Sequence, residues 1–374
     1  MSLRLLFFLA LPSVVDSIYR AQLFARSHRG LPKHSFEPVA RWMVLIPSRS
    51  EGAGLRPTLE STRAALTPDD GEIVVLLDGD DAEGEEIAVG LGCVSLVKRP
   101  AGPSKAAALR WFAHHHRDRL RLCDAVLLLD VGSRLPVDFF ERFRWPAHAD
   151  AVQAFLRGSG TGAGDAAALS ENLAQSREDV GRESLGWSVR LRGTGMAVLP
   201  SVFERLFLRV VTQVEDMEAS LLVIADGFVS RMTPENCYVL DEKPLSVTSA
   251  AVQRARWLVG KLQIVRQSPA IVRALIRHPV EALGFAAEIF GRPLALSVPF
   301  RAVIAAMLIV SGIQRSDRVA QILGAIVIVS AISDSALVLV HSSLTSSIRL
   351  ITAWLGAVLL APRAFLRWMR ARRP

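Results

Sequence analysis

Cysteine is scarce in this chain: three in 374 residues, Cys93, Cys123 and Cys237, with no spacing that would ligate a metal. That excludes a disulfide-stapled fold and a cysteine-based zinc centre, and the three thiols read as reduced, buried and structural. Excess positive charge is missing from the first 260 residues, where 30 Lys and Arg stand against 32 Asp and Glu. A near-neutral region offers no electrostatic footprint for nucleic acid, and no nucleic-acid partner is expected. Gly158 to Gly164 (GSGTGAG) lacks the spacing of both the dinucleotide and the Walker loops, so it reads as a connector. His114, His115 and His116 lack the geometry of a metal site, because consecutive helical side chains point about 100° apart; solvated helix surface is expected.

What is abundant is apolar mass. At 51% hydrophobic residues and a mean hydropathy of +0.31, the chain is too apolar for an ordinary soluble enzyme, which implies a membrane part. Residues 3–24 open with an apolar run broken by Pro12, Asp16 and Arg20, and no clear small-residue cleavage site follows. They read as an uncleaved anchor with the next domain in the cytosol, or as a helix lying in the interface. From Lys261 onward, 14 Lys and Arg face 4 Asp and Glu. Such a basic excess beside apolar segments fits anionic lipid and retention on the cytosolic side of a cell membrane. Residues 263–291 mix Arg266, Arg273 and Arg277 with Ile271, Val272, Leu275 and Ile276, and read as helices on the membrane surface. Segments 293–313 and 319–340 are long enough, at about 20 residues, to span. They hold Arg301 and Asp334, charges that pair, snorkel or serve function. The last run, 350–362, is short. With Arg363, Arg367, Arg370, Arg372 and Arg373 kept cytosolic, two spans plus an interfacial or re-entrant segment are expected.

Between these ends the pattern changes to short continuous apolar runs at 42–48, 73–79, 93–98, 125–131 and 151–156, mostly separated by helix-period segments. That predicts an α/β domain with a mostly parallel sheet of Rossmann type, buried on both faces. The implied organisation is an anchor and basic linker at 1–40, the α/β domain at 41–262, and interfacial and transmembrane helices at 263–374.

In such sheets ligands bind beyond the carboxyl ends of the strands. Here those ends read Ser48-Arg49-Ser50-Glu51, Asp78-Gly79-Asp80-Asp81 and Asp130-Val131-Gly132-Ser133. One acidic strand end serves a turn or a helix cap; three on one rim point to a polar ligand. Further on, Arg192-Gly193-Thr194-Gly195 precedes an apolar strand and Val214-Glu215-Asp216 opens a helix. Asp216 there either complements the helix dipole or acts as a general base. Gln253, Arg254, Arg256 and Trp257 then gather an amide, two guanidiniums and an indole within little more than a turn. Guanidiniums hold phosphate oxygens and an indole face suits a sugar ring; a snorkelling basic helix edge at a membrane boundary is the alternative.

Taken in order, these motifs resemble the membrane-integrated branch of glycosyltransferase family 2, which includes cellulose, chitin and hyaluronan synthases and smaller lipid glycosyltransferases. The likeness runs from about Trp42 to Ile264, strongest at Gln253–Trp257, which reads as the family's QxxRW. It implies a GT-A-like fold and donor-nucleotide contacts from Glu51, Asp78, Asp80, Lys105 and Asp130. It also implies diphosphate and acceptor contacts from Gly193, Thr194, Gly195, Gln253, Arg254, Arg256 and Trp257, with Asp216 as catalytic base. The implied reaction is inverting transfer from a nucleotide-sugar, UDP-sugars favoured, to a membrane-associated, lipid-linked acceptor. A protein that binds without turnover, or a processive synthase, are the alternatives. Three departures stand out. The family's metal-facing DxD is here Asp-Val-Gly, so Asp130 has no partner at Gly132 and a Mg or Mn cofactor is in doubt. The Thr of Thr-Glu-Asp is Val214, and Arg49-Ser50-Glu51 replaces a Tyr-Asn-Glu type sequence at the nucleobase.

Overall fold

A computed structural model describes residues 3–159, 163–242, 256–257, 259–266, 269–291 and 294–340. Its centre is a seven-stranded sheet. In chain order the strands are β1 (Trp42–Ser48), β2 (Gly71–Asp78), β3 (Val94–Lys98), β4 (Ala125–Leu128), β5 (Ala151–Gln153), β6 (Met196–Val198) and β7 (Ser230–Met232). Their spatial order is β7-β5-β6-β4-β1-β2-β3. Strands β1 to β4 run parallel, β7 runs parallel to β5, and β6 is antiparallel to both its neighbours. The apolar runs form strands here because both faces are covered. Met43, Leu45, Val74 and Leu76 enter one buried cluster, while Val44, Ile46, Val75 and Leu77 enter the other. That two-residue alternation into two cores is why the runs carry no polar residue every second position.

The run at 151–156 is not one strand. It breaks at Ala154: β5 stays in the main sheet, and Phe155–Ser159 pairs parallel with Tyr238–Glu242, which pairs antiparallel with Ser133–Arg134 in a second, three-stranded sheet. The crossing is packed against Gly195. Ala154 N donates to Gly195 O at 2.7 Å, and a Cβ at Gly195 (φ +64°) would meet Val239 at 3.0 Å and Leu156 at 3.1 Å.

The N-terminal helix, Leu3–Ser27, lies against the hairpin of helices Leu294–Gln314 and Arg318–Val340. Leu6, Ala10 and Val14 share a buried cluster with Ile304, Ala305, Leu308 and Val327. Among the described residues two segments are long and apolar enough to cross a membrane, Ser297–Gln314 and Arg318–Leu337, and their outer faces expose Val303, Val310, Val329 and Ile332. Helices Ala270–Arg277 and Pro279–Gly291 have two apolar sides. Ala270, Ala274, Ala282, Phe285 and Ile289 join the core of the α/β domain, whereas Val272, Ile276, Val280 and Leu283 face outward. The segment expected to lie on the membrane surface thus packs one side of its helices on the sheet domain. Cys93 and Cys237 are buried, Cys123 is half-buried, and all three are free. His114 and His115 are exposed at a helix end, while His116 is half-buried and stacks on Phe112. Of the connector expected at Gly158–Gly164, Gly158 and Ser159 end the strand Phe155–Ser159 and Ala163 and Gly164 open the helix Ala163–Leu173, while 160–162 lie outside the described residues, as do the run at 350–362 and the arginine tail.

Candidate active site

The carboxyl end of β4 delivers Asp130, whose backbone N–H donates to Thr194 Oγ1 at 3.1 Å. Helix Lys105–His115 begins with Lys105, after Ser104 caps it by accepting from Ala107 N at 3.3 Å. Glu215 and Asp216 open helix Glu215–Asp226. These starts and ends converge. Lys105 Nζ grips the Asp130 carboxylate, donates to Gly193 O at 2.9 Å and pairs with Glu215 Oε1 at 3.0 Å. Gly193 sits at φ +79°, and a Cβ there would stand 3.6 Å from Asp216 Oδ2, from Glu215 Oε1 and from Lys105 Nζ. Glycine therefore serves both the turn and the close approach of backbone to charge.

Two of the carboxylates here, Asp130 and Asp216, and the ammonium of Lys105 are shifted from their ordinary values. Burial would depress Lys105, but Asp130 and Glu215 hold it above the usual lysine range. Burial pushes Asp130 up, against the pull of Lys105 and with further help from Glu215. Burial and then the Glu215 charge push Asp216 up to about 7, with Met217 N donating to its Oδ1 at 2.8 Å. A buried carboxyl near neutrality beside a fixed cation is the profile of an acid–base group.

The other strand-end residues are placed differently. Asp78 is 5% exposed and accepts from Gly102 N at 2.7 Å, Lys98 Nζ at 2.9 Å and Arg49 Nε at 3.0 Å. Burial acts to raise its pKa, yet these donors hold it below the ordinary carboxylate value. Asp80 pairs with Arg99 in solvent. Glu51 is exposed at the start of the short turn Gly52–Leu55, and Asp81 caps helix Ala82–Gly90 through Gly84 N at 3.0 Å. Gly195 N donates to Leu128 O at 2.8 Å, so the Gly-Thr-Gly segment is tied to the same strand end as Asp130. Arg256 and Trp257 are exposed, and Gln253 and Arg254 lie outside the described residues. Three residues past Trp257, a Cβ at Gly260 would meet Val214 at 2.6 Å. The helical segment following Trp257 is thus packed on the residue that precedes Glu215.

Two contributions escaped the sequence reading. Glu215, read only as part of a motif, is the second anchor of Lys105. Arg49 and Lys98 complete the shell of Asp78; their signal was position alone, each at a strand's carboxyl end.

A divalent metal is a poor match to these residues. Asp130 is already engaged by Lys105, and Gly132 contributes no side chain although a Cβ there would meet nothing within 4 Å. Among the described residues no group of three His, Cys, Asp or Glu side chains gathers as a metal-ligand set.

No protein-family model and no curated protein sequence matches the chain. Solved structures do resemble it. A mannosyltransferase from Pyrobaculum calidifontis, in complex with GDP-Man and Mn2+, aligns at 14% identity over 96% of this chain and 99% of that one, with a TM-score of 0.57. A glucosyl-3-phosphoglycerate synthase from Mycobacterium tuberculosis, with Mn2+, UDP and phosphoglyceric acid, aligns at 17% identity over 66% and 82%, with a TM-score of 0.39. The expected architecture is confirmed: this chain has a GT-A-like α/β fold, with a parallel-rich sheet and two apolar C-terminal helices.

Proposed function

We propose that the chain is a glycosyltransferase that moves a sugar, with inversion, from a nucleotide-sugar to a membrane-associated, lipid-linked acceptor. The observation that carries this reading is the convergence of Lys105, Asp130, Gly193, Glu215 and Asp216 beyond the sheet, with Asp216 poised near neutrality. On this reading the acceptor hydroxyl gives its proton to Asp216. Its oxygen forms a bond to the anomeric carbon as the carbon–oxygen bond to the diphosphate breaks, and the nucleoside diphosphate leaves with the electron pair. Lys105, already flanked by carboxylates, holds Asp130 and Glu215 in place. Arg254 and Arg256 are the cations assigned to the leaving diphosphate, and Trp257 the stacking surface for the acceptor sugar. With Asp130 engaged by Lys105 and no side chain at Gly132, turnover is expected to persist in chelator.

Membrane attachment is supported by the two apolar helices and by the outward apolar side of Ala270–Arg277 beside Arg266 and Arg277. A single transfer is favoured over polymer export because the sequence offers at most four apolar segments as spans to form a translocation path. The test supplies detergent-solubilised protein with UDP- and GDP-sugars and a lipid extract, and follows nucleotide release. Release that vanishes in Asp216→Asn supports the enzyme. Tight nucleotide-sugar binding with no release under any condition would establish a binding protein instead.

A further inference from the structure

A buried ladder of alternating charge joins the apolar helices to the Gly193 loop. At one end Arg301 donates to Asp334 Oδ2 at 2.5 Å, with both side chains sealed from solvent. The same guanidinium donates to Ser17 at 2.6 Å and Ser330 at 3.0 Å. The second oxygen of Asp334 accepts from Arg20 at 2.6 Å. Arg20 then reaches Glu178 Oε1 at 3.0 Å, and Glu178 Oε2 accepts from Arg190 at 2.8 Å. Arg190 donates to Asp179 Oδ1 at 3.1 Å, and Asp179 Oδ2 is gripped by Arg192, which also grips Glu171. Arg192 immediately precedes Gly193. Its backbone N–H donates to Gln153 Oε1 at 2.9 Å, and Gln153 Nε2 donates to Thr194 O at 2.9 Å.

A lone ion pair would suffice to neutralise Arg301. Instead Asp334, Glu178 and Asp179 each bridge two arginines, so a change at one rung alters what the next must satisfy. Glu178 and Asp179 end the π-helical turn Ala174–Asp179, a wide turn that sets consecutive carboxylates against Arg20, Arg190 and Arg192. Buried charges stripped of a partner reorganise their surroundings, because the interior offers no water in exchange. The ladder is therefore a stiff connection between three segments distant in sequence.

We propose that this ladder is a positioning device. Asp334 and Arg20, at the apolar-helix end, hold the Arg192–Gly195 segment against Lys105, Glu215 and Asp216. Seating of the apolar helices on the N-terminal helix thereby sets the geometry of the site. The kinetic part of the proposal rests on the transfer reading above; the structural part does not.

The test uses the full chain in phosphatidylethanolamine–phosphatidylglycerol vesicles and measures amide hydrogen exchange. In Asp334→Asn, exchange over residues 192–195 should rise about tenfold, within the range expected for coupling between sites, while Val74–Leu77 in β2 stays protected. Arg20→Lys, which keeps the charge and loses the two-armed contact, should give the same pattern if Asp334→Asn fails to fold, and Asp334→Glu should restore most protection. Unchanged exchange at 192–195, or a rise shared equally by β2, would overturn the proposal. In parallel, kcat for nucleotide release should fall about tenfold with donor KM changed less than about twofold, the pattern of a lost transition-state arrangement. Absence of turnover in the unaltered protein would sink the transfer reading and leave the exchange result to decide the ladder.

Discussion

Lys105 holds a single positive charge between Asp130 and Glu215, with Asp216 beyond them, so the charge it supplies also tunes the proposed base. Because the Lys105 charge lowers the pKa of Asp216, Lys105→Met should move the midpoint of the pH–rate profile above 7, measured as nucleotide release. Asp216 carries the opposite linkage to a stabilising carboxylate. Its folded pKa, near 7, exceeds the unfolded value of about 3.9, so the fold loses stability as pH rises between these values. Asp216→Asn should consequently melt at a higher temperature than the parent at pH 8 while losing turnover. Asp78 is the reverse case. Its lowered pKa stabilises the fold above the unfolded carboxylate value, and that contribution is lost as pH falls through the folded one. Asp78→Ala strands Lys98 beneath the surface and should destabilise by about 3 kcal/mol in chemical denaturation. Sequence pattern marked Asp78 and Asp130 alike as strand-end carboxylates. Only the fold distinguishes the one wrapped by three donors from the one facing the charge cluster.

At the scale of elements, the parallel core was legible because strands buried on both faces must be continuously apolar, as in Val44–Ile46 and Val74–Leu77. The split at Ala154 was not legible. Ala151–Leu156 is apolar but for Gln153, and the reason it changes sheets lies in Gly195, some 40 residues on, and in Val239. Helix starts were legible only as motifs: the capping Ser104 and the acidic pair Glu215-Asp216 mark where helices begin, yet nothing local brings those starts together. Close approach of elements is equally silent in sequence. A Cβ at Gly181 would lie 2.2 Å from Leu23 O, a backbone atom that cannot yield without moving the N-terminal helix. Gly181→Ala should therefore cost about 2 kcal/mol of stability through overpacking, read as a fall in Tm.

For the molecule as a whole, the charge asymmetry of the sequence acquires a physical meaning. The near-neutral α/β domain and the basic C-terminal part meet along helices Ala270–Arg277 and Pro279–Gly291, whose inner sides enter the sheet domain's core. The pairing of Arg301 with Asp334 is one of the outcomes their depth in two apolar segments left open, beside snorkelling and a functional role. That the pair continues through Arg20 and Glu178 toward the site could not be expected, because those partners lie more than 100 residues apart in the chain. Native vesicles washed with alkaline carbonate should retain the protein in the membrane pellet; release into the supernatant would contradict the proposal that the two apolar helices span a membrane.

The pH dependence of nucleotide-sugar turnover by the intact protein, supplied with a lipid extract, tests the proposed transfer most directly. kcat should rise with pH through a midpoint near 7, as Asp216 loses its proton, with no such turnover at any pH in Asp216→Asn. Turnover that is flat from pH 5 to 9 in the parent, or preserved in Asp216→Asn, would contradict it.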